Sequence, residues 1–250
     1  MTIKSSISKR ARAGVLAASV GFMAPTSAGV IQLGFIIDSS GSIGSTDFGV
    51  ITDGLASAVE SYIPVGGDDT YEVSVVRFNS SASAVVANVL VTDATARSDL
   101  ADDIRNIGYS GGGTNFTAAF DAMTSVLGNT IGTADASYVN FSTDGQAGNA
   151  SIAFNAMIAS GVDNVSVEGI GSNVDAAVLQ DLYCYPGPCD TTTPYNFPTE
   201  GFYIGVADAQ GYADVIGEKI GVVTGTVPIP ATLALFGLGL VGFAGLRGRK

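Results

Sequence analysis

A chain of 250 residues, 46% hydrophobic and 14% charged, can bury one good-sized core and is neither disordered nor low-complexity. All 23 acidic residues lie between the basic ends, where only Arg77, Arg97, Arg105 and Lys219 oppose them; that field repels phosphate backbones and excludes nucleic acid as a partner. Histidine is absent, which removes the usual general base at neutral pH and the commonest transition-metal ligand, so any metal must be held by oxygens. Residues 1–28 read as a signal peptide: Lys4, Lys9, Arg10 and Arg12 precede the apolar run "AGVLAASVGFMA" and the small residues "PTSA" that suit cleavage after Ala28.

From residue 30 to residue 223, short apolar runs alternate with helical patterns. "VIQLGFIID" is a continuous apolar strand, expected to be covered on both faces, and it runs into the hydroxyl-rich turn "DSSGS". A helix is expected from about Thr46 or Asp47, with Phe48, Ile51, Leu55 and Val59 on one face. "YEVSVVRFN" and "SAVVANVLV", separated by a few small polar residues, predict a hairpin and hence one antiparallel edge strand. "TDATARSDLADDIRNI" opens with a capping residue and carries Leu100, Ile104 and Ile107 at helical spacing. After "SGGGTN" comes a helix with Phe116, Phe120, Met123 and Leu127 on its face, and Thr114 has the chemistry of its N-cap as well as of a ligand. "ASYVNFSTDG" is a strand ending in a second acidic turn; "NASIAFNAMIASG", "VDNVSVEGIG" and "NVDAAVLQDL" then read helix, strand, helix. "GFYIGVAD" is the last strand and "AQGYADVIGEKIG" the last helix. Asp102, Asp103 and Asp121 read as solvated helix faces, and Tyr185, Tyr195 and Phe197 either as exposed-loop candidates for binding or as aromatics of an irregular, disulfide-tied insertion.

Strands alternating with helices predict an α/β fold: a doubly wound, mostly parallel central sheet with one antiparallel edge strand and helices on both faces. Ligands bind such sheets beyond the carboxyl ends of the strands. Both acidic turns fall there, and the glycine-rich "SGGGTN" precedes a helix at the same end. Alone, "DSSGS" is equally an aspartate-led turn and helix cap; the convergence of three oxygen-bearing loops is the stronger signal.

Asp38-Ser39-Ser40-Gly41-Ser42, then Thr114, then Asp144 follow the D-x-S-x-S, threonine and aspartate order of the metal-ion-dependent adhesion site, and over about 190 residues the chain resembles the von Willebrand factor type A domain. The resemblance implies a Rossmann-like fold and a divalent cation held by Asp38, Ser40, Ser42, Thr114 and Asp144. Mg²⁺, which wants about six oxygens in near-octahedral array, suits the set best, with Mn²⁺ or Ca²⁺ as alternatives. Neutral hydroxyls outnumber carboxylates, so one electrophilic position is left for an Asp or Glu carboxylate of a protein or matrix ligand. The expected function is an exported adhesion or binding module rather than an enzyme. A metal-dependent hydrolase using Ser40 or an activated water is the second reading, against which stand the absent histidine and the absent G-x-S-x-G elbow. A structural exopolysaccharide-matrix protein with incidental metal binding is the third.

The C-terminal segment 224–250 is a second address. Ile229 to Leu246 carries no charge, is roughly 27 Å long if helical, and is followed by Arg247, Arg249 and Lys250. "VPIP", the glycine- and leucine-rich span and the basic end resemble the PEP-CTERM sorting signal, with Ile229 where the common motif has glutamate. That resemblance implies at least transient membrane anchoring, handling by an exosortase-type enzyme, and delivery to the surface or matrix of a Gram-negative bacterium. "GLGLVG" within the span matches a nucleotide fingerprint by chance, having no strand and amphipathic helix around it. Export also suits a disulfide between Cys184 and Cys189, which flank the turn "YPGP".

Overall fold

The computed structural model describes residues 29–226. The expected signal peptide, 1–28, and positions 227–250 of the expected tail lie outside the described residues. In chain order the elements are β1 (Gly29–Asp38), α1 (Gly44–Tyr62), β2 (Asp69–Phe78), β3 (Ala82–Val91), α2 (Ala94–Arg105), α3 (Phe116–Leu127), β4 (Ala136–Thr143), α4 (Ser151–Ala159), β5 (Asn164–Ile170), α5 (Ala176–Tyr183), β6 (Tyr203–Val206) and α6 (Ala209–Thr224).

The six strands form one sheet in the order β3-β2-β1-β4-β5-β6. Every pairing is parallel except β2 with β3, which closes the predicted hairpin at the sheet edge. This is the doubly wound, mostly parallel architecture expected from the alternation of strands and helices.

The continuous apolar character of β1 has its reason in the two cores. Leu33, Phe35 and Ile37 point into a cluster built with α1, α2 and α6, whereas Ile36 points into a second cluster built with α3, α4 and α5. Period-2 alternation therefore puts apolar side chains on both sides, and each fully buried large side chain contributes about 1.5–3 kcal/mol. Gly34 is required where α3 crosses β1: a Cβ there would stand 2.7 Å from the Met123 sulfur. The second core is knit by aromatic edge contacts, with the rings of Phe116 and Phe141 4.9 Å apart and those of Phe120 and Phe154 5.3 Å apart.

Several boundaries differ from the sequence expectation. α1 begins at Gly44, where φ is +74°, and no side chain caps it, so the helix starts earlier than Thr46. α3 is capped by Asn115, whose Oδ1 accepts from the Ala118 amide, and not by Thr114. β6 is shorter than "GFYIGVAD" because Asp208 already serves as the N-cap of α6. Tyr195 and Phe197 are half-buried; Tyr195 stacks on Phe202 at 4.3 Å, and Phe197 packs edge-on against Tyr138 at 4.8 Å. Phe197 thereby pins the 184–202 segment to β4, and the Tyr195–Phe202 stack and the Cys184–Cys189 disulfide tie the segment within itself.

Candidate metal centre

β1 and β4 are adjacent parallel strands, so their carboxyl ends deliver Asp38 and Asp144 to one side of the sheet. Asp38 ends β1 and is 1% exposed. Its Oδ1 accepts from the Ser40 amide at 2.8 Å, and its Oδ2 accepts from the Thr143 hydroxyl at 2.6 Å. The turn is thereby folded back so that Ser40 Oγ lies 3.1 Å from Ser42 Oγ, and Ser42 Oγ donates to Asp144 Oδ1 at 2.8 Å. One hydrogen-bonded chain thus runs from Asp38 through Ser40 and Ser42 to Asp144.

Thr114 joins the group from the glycine-rich loop. A Cβ built on Gly145 would sit 3.4 Å from Thr114 Oγ1 and 4.0 Å from Ser42 Oγ, so the three loops meet over Gly145. The Thr114 hydroxyl has no hydrogen-bond partner among the described residues, and Asn115 has relieved it of capping. The loop itself is held firmly. Gly41 N donates to Gly112 O at 2.7 Å and Gly111 N to Ser39 O at 2.9 Å, while Gly113 N reaches Ser80 Oγ at 2.7 Å. Gly111 and Gly112 adopt φ of +66° and +96°, which a side chain would oppose. Ser39 is turned away from the group and bonds Phe78 O and Ser110 Oγ.

The electrostatics favour a cation. Burial pushes the Asp38 carboxyl above its ordinary value, offset in part by the Thr143 and Ser40 hydrogen bonds, and the Asp144 charge pushes it the same way. Asp144 is also raised, first by burial and further by Asp47, against the hydrogen bond from Ser42. Two carboxylates that resist ionisation, beside three hydroxyls and no basic side chain, form a donor set that fits a hard divalent ion. Asp47, Asp144 and Asp208 further line a cleft of about 150 Å³ at the same end of the sheet. Among the described residues no group of three His, Cys, Asp or Glu is arranged to hold a metal ion without hydroxyls, here or elsewhere, so the serine and threonine oxygens are indispensable to a metal at this site.

All five sequence-predicted residues lie in this one region. Thr143 was missed: it is buried, donates its hydroxyl to Asp38 Oδ2, and its Oγ1 accepts from the Gly145 amide at 3.2 Å. Its available signal was its hydroxyl at the end of β4, one residue before Asp144.

A family model described as the von Willebrand factor type A domain matches residues 32–203, more than half of the chain. The chain belongs to the von Willebrand factor type A family. Solved structures similar to this type A domain include proximal thread matrix protein 1 from the mussel byssus, at 15% identity and TM-score 0.57 over 80% of this chain and 47% of that one. A form of the same mussel protein with a zinc-occupied MIDAS motif aligns with TM-score 0.56, at 15% identity over the same shares of the two chains. A von Willebrand factor type A protein from Catenulispora acidiphila aligns at 16% identity and TM-score 0.54, over 77% of this chain and 42% of that one. These likenesses establish the fold, and the chain spans less than half the length of those structures. No curated protein matches it. Beyond the type A domain, residues 226–250 match the PEP-CTERM protein-sorting motif, which marks the chain for export. No helix of the described residues is long and apolar enough to cross a membrane, and the tail beyond residue 226 lies outside them.

Proposed function

We propose that this exported type A domain binds a divalent cation through Asp38, Ser40, Ser42, Thr114 and Asp144 and uses it to recognise an acidic side chain of a protein or matrix ligand. The observation that carries the reading is the hydrogen-bonded chain Asp38–Ser40–Ser42–Asp144, closed over Gly145 by the unpartnered Thr114 hydroxyl. A bound cation would supply a Lewis-acidic position for a ligand carboxylate. The chain's own residues do the rest. Asp38 is buried and orients Ser40, Thr143 orients Asp38, and the clamped glycine loop presents Thr114. An all-oxygen set favours Mg²⁺, with Mn²⁺ or Ca²⁺ as competitors, over the zinc found in the mussel protein.

Toward its ligand the domain acts by binding: the chain has no histidine, the commonest general base at neutral pH, to activate Ser40 or a water. An exosortase-type enzyme handles the C-terminal motif and delivers the domain to the cell surface or its matrix. The test is adhesion of the purified chain to envelope and matrix fractions of the producing cell. Addition of chelator, and separately Asp38→Ala or Ser42→Ala, is expected to abolish retention. Retention unchanged by chelator would overturn the proposal.

A further inference from the structure

Away from the proposed metal centre, two polar side chains of the sheet face beneath α6 meet a lysine of that helix, and the binding function uses none of the three. Asn140 on β4 and Glu168 on β5 occupy the same face of adjacent strands, since Asn140 pairs with Ser166 and Ser142 with Glu168. Lys219 comes down on them from α6, and its Nζ donates at very close range to both Asn140 Oδ1 and Glu168 Oε1. The three residues are 5%, 0% and 2% exposed in the order Asn140, Glu168, Lys219, and the Phe202 ring covers the amine at 5.1 Å. Water is therefore excluded from the amine, the amide and the acid together.

A buried ion pair normally has its remaining lone pairs and protons satisfied. Here they are not. Among the described residues Asn140 Nδ2 and Glu168 Oε2 lack a close hydrogen-bond partner, and the Tyr212 hydroxyl lies beside Asn140 and Ser142. Burial shifts Glu168 upward and Lys219 downward, each against the pull of the other, so the pair is driven towards a neutral acid and a neutral amine. A neutral amine against a side-chain amide, with a carboxylic acid beside both, is the arrangement for acyl transfer.

We infer that Lys219 and Asn140 form an intramolecular isopeptide bond, with Glu168 as the catalytic acid and base. The Lys219 Nζ lone pair attacks Asn140 Cγ, and the Glu168 proton goes to Oδ1 as the carbonyl π pair moves onto oxygen. Glu168 then takes the proton from Nζ and passes one to Nδ2, the C–Nδ2 bond breaks, and the carbonyl re-forms as Oδ1 returns its proton. One C–N bond is made and one is broken, ammonia leaves, Glu168 ends as it began, and no oxidant or co-reactant is consumed. The leaving nitrogen is the unpartnered Nδ2, so the reaction discards a buried donor that the fold leaves unsatisfied. A cavity of about 20 Å³ bounded by Asn140, Ser166 and Lys219 is large enough for a water-sized molecule such as ammonia.

The bond would join residues 79 apart in sequence and tie the last helix covalently to the sheet. A pull on the C-terminal tail would then be borne through Lys219 and β4, and unravelling of α6 would stop at that residue.

The test is peptide mapping by mass spectrometry of the purified full chain after disulfide reduction and cleavage following aromatic residues. Cuts after Tyr138 and Phe141 release Val139-Asn140-Phe141. The expected result is that this tripeptide remains attached to the peptide containing Lys219, at their combined mass less one ammonia, and that Glu168→Gln and Lys219→Met return the two as separate peptides. Recovery of free Val139-Asn140-Phe141 and a linear Lys219 peptide from the folded wild-type chain would overturn the inference. A cross-link that persists in Glu168→Gln would overturn the role given to Glu168.

Discussion

At the scale of single residues, the proposed metal centre depends on side chains that would not touch the ion as much as on those that would. Thr143 holds Asp38 through a 2.6 Å hydrogen bond, and orienting partners of this kind are typically worth 10–100-fold in metal affinity. Thr143→Val is therefore expected to weaken cation binding by at least about 10-fold in calorimetric titration while leaving the circular dichroism spectrum unchanged. The Asp38 carboxyl also makes a prediction about pH. Its folded-state pKa is raised, so its contribution to the stability of the cation-free domain is fully present below the ordinary aspartate value and is lost as pH rises through the raised one. Asp38→Asn cannot ionise, so in chelator its melting temperature should gain on that of the wild type as pH is taken from about 4 to about 7. A constant difference across that range would show that Asp38 titrates normally.

At the scale of elements, α6 owes its seat on α1 to missing side chains. A Cβ on Gly54 would lie 2.6 Å from Ala213 Cβ, and one on Gly217 would lie 2.6 Å from the Tyr62 ring. Gly54→Val should force the helices apart and cost on the order of 1–3 kcal/mol in chemical denaturation, whereas the same change at the unobstructed Gly49 of α1 should cost less. The elements themselves were legible because local pattern and tertiary role agree. The stripe Phe48, Ile51, Leu55 and Val59 is buried to 1% exposure or less, and the hairpin of β2 and β3 forms where two alternating runs flank small residues. The polar interior was less legible, although Lys219 carried a signal. It falls on the helical stripe of Tyr212, Ile216 and Ile220, where a lysine has no business unless it is paired below. Its partners Asn140 and Glu168 come from two strands, and only the sheet register brings them together. Thr114 was legible as a hydroxyl near a helix start, but whether it or Asn115 caps α3 is decided by backbone geometry.

At the scale of the whole molecule, a type A domain with an acidic interior stretch is joined to a PEP-CTERM sorting motif. Its disulfide closes a small loop, and in the chain-entropy picture Cys184→Ala with Cys189→Ala should lower stability by about 2 kcal/mol, read as a shift in the denaturant midpoint. A bound cation should act in the opposite sense, raising the melting temperature as its concentration exceeds the dissociation constant, because the five proposed ligands are assembled only in the folded chain. The central claim is that these five residues hold a divalent ion, and titration of Mg²⁺ or Mn²⁺ into the metal-free chain by calorimetry tests it most directly. One saturable site is predicted in the wild type, abolished in Asp38→Ala and in Ser42→Ala although both remain folded. Binding that persists unchanged in those variants, or no binding to the folded wild type by either ion, would contradict the account.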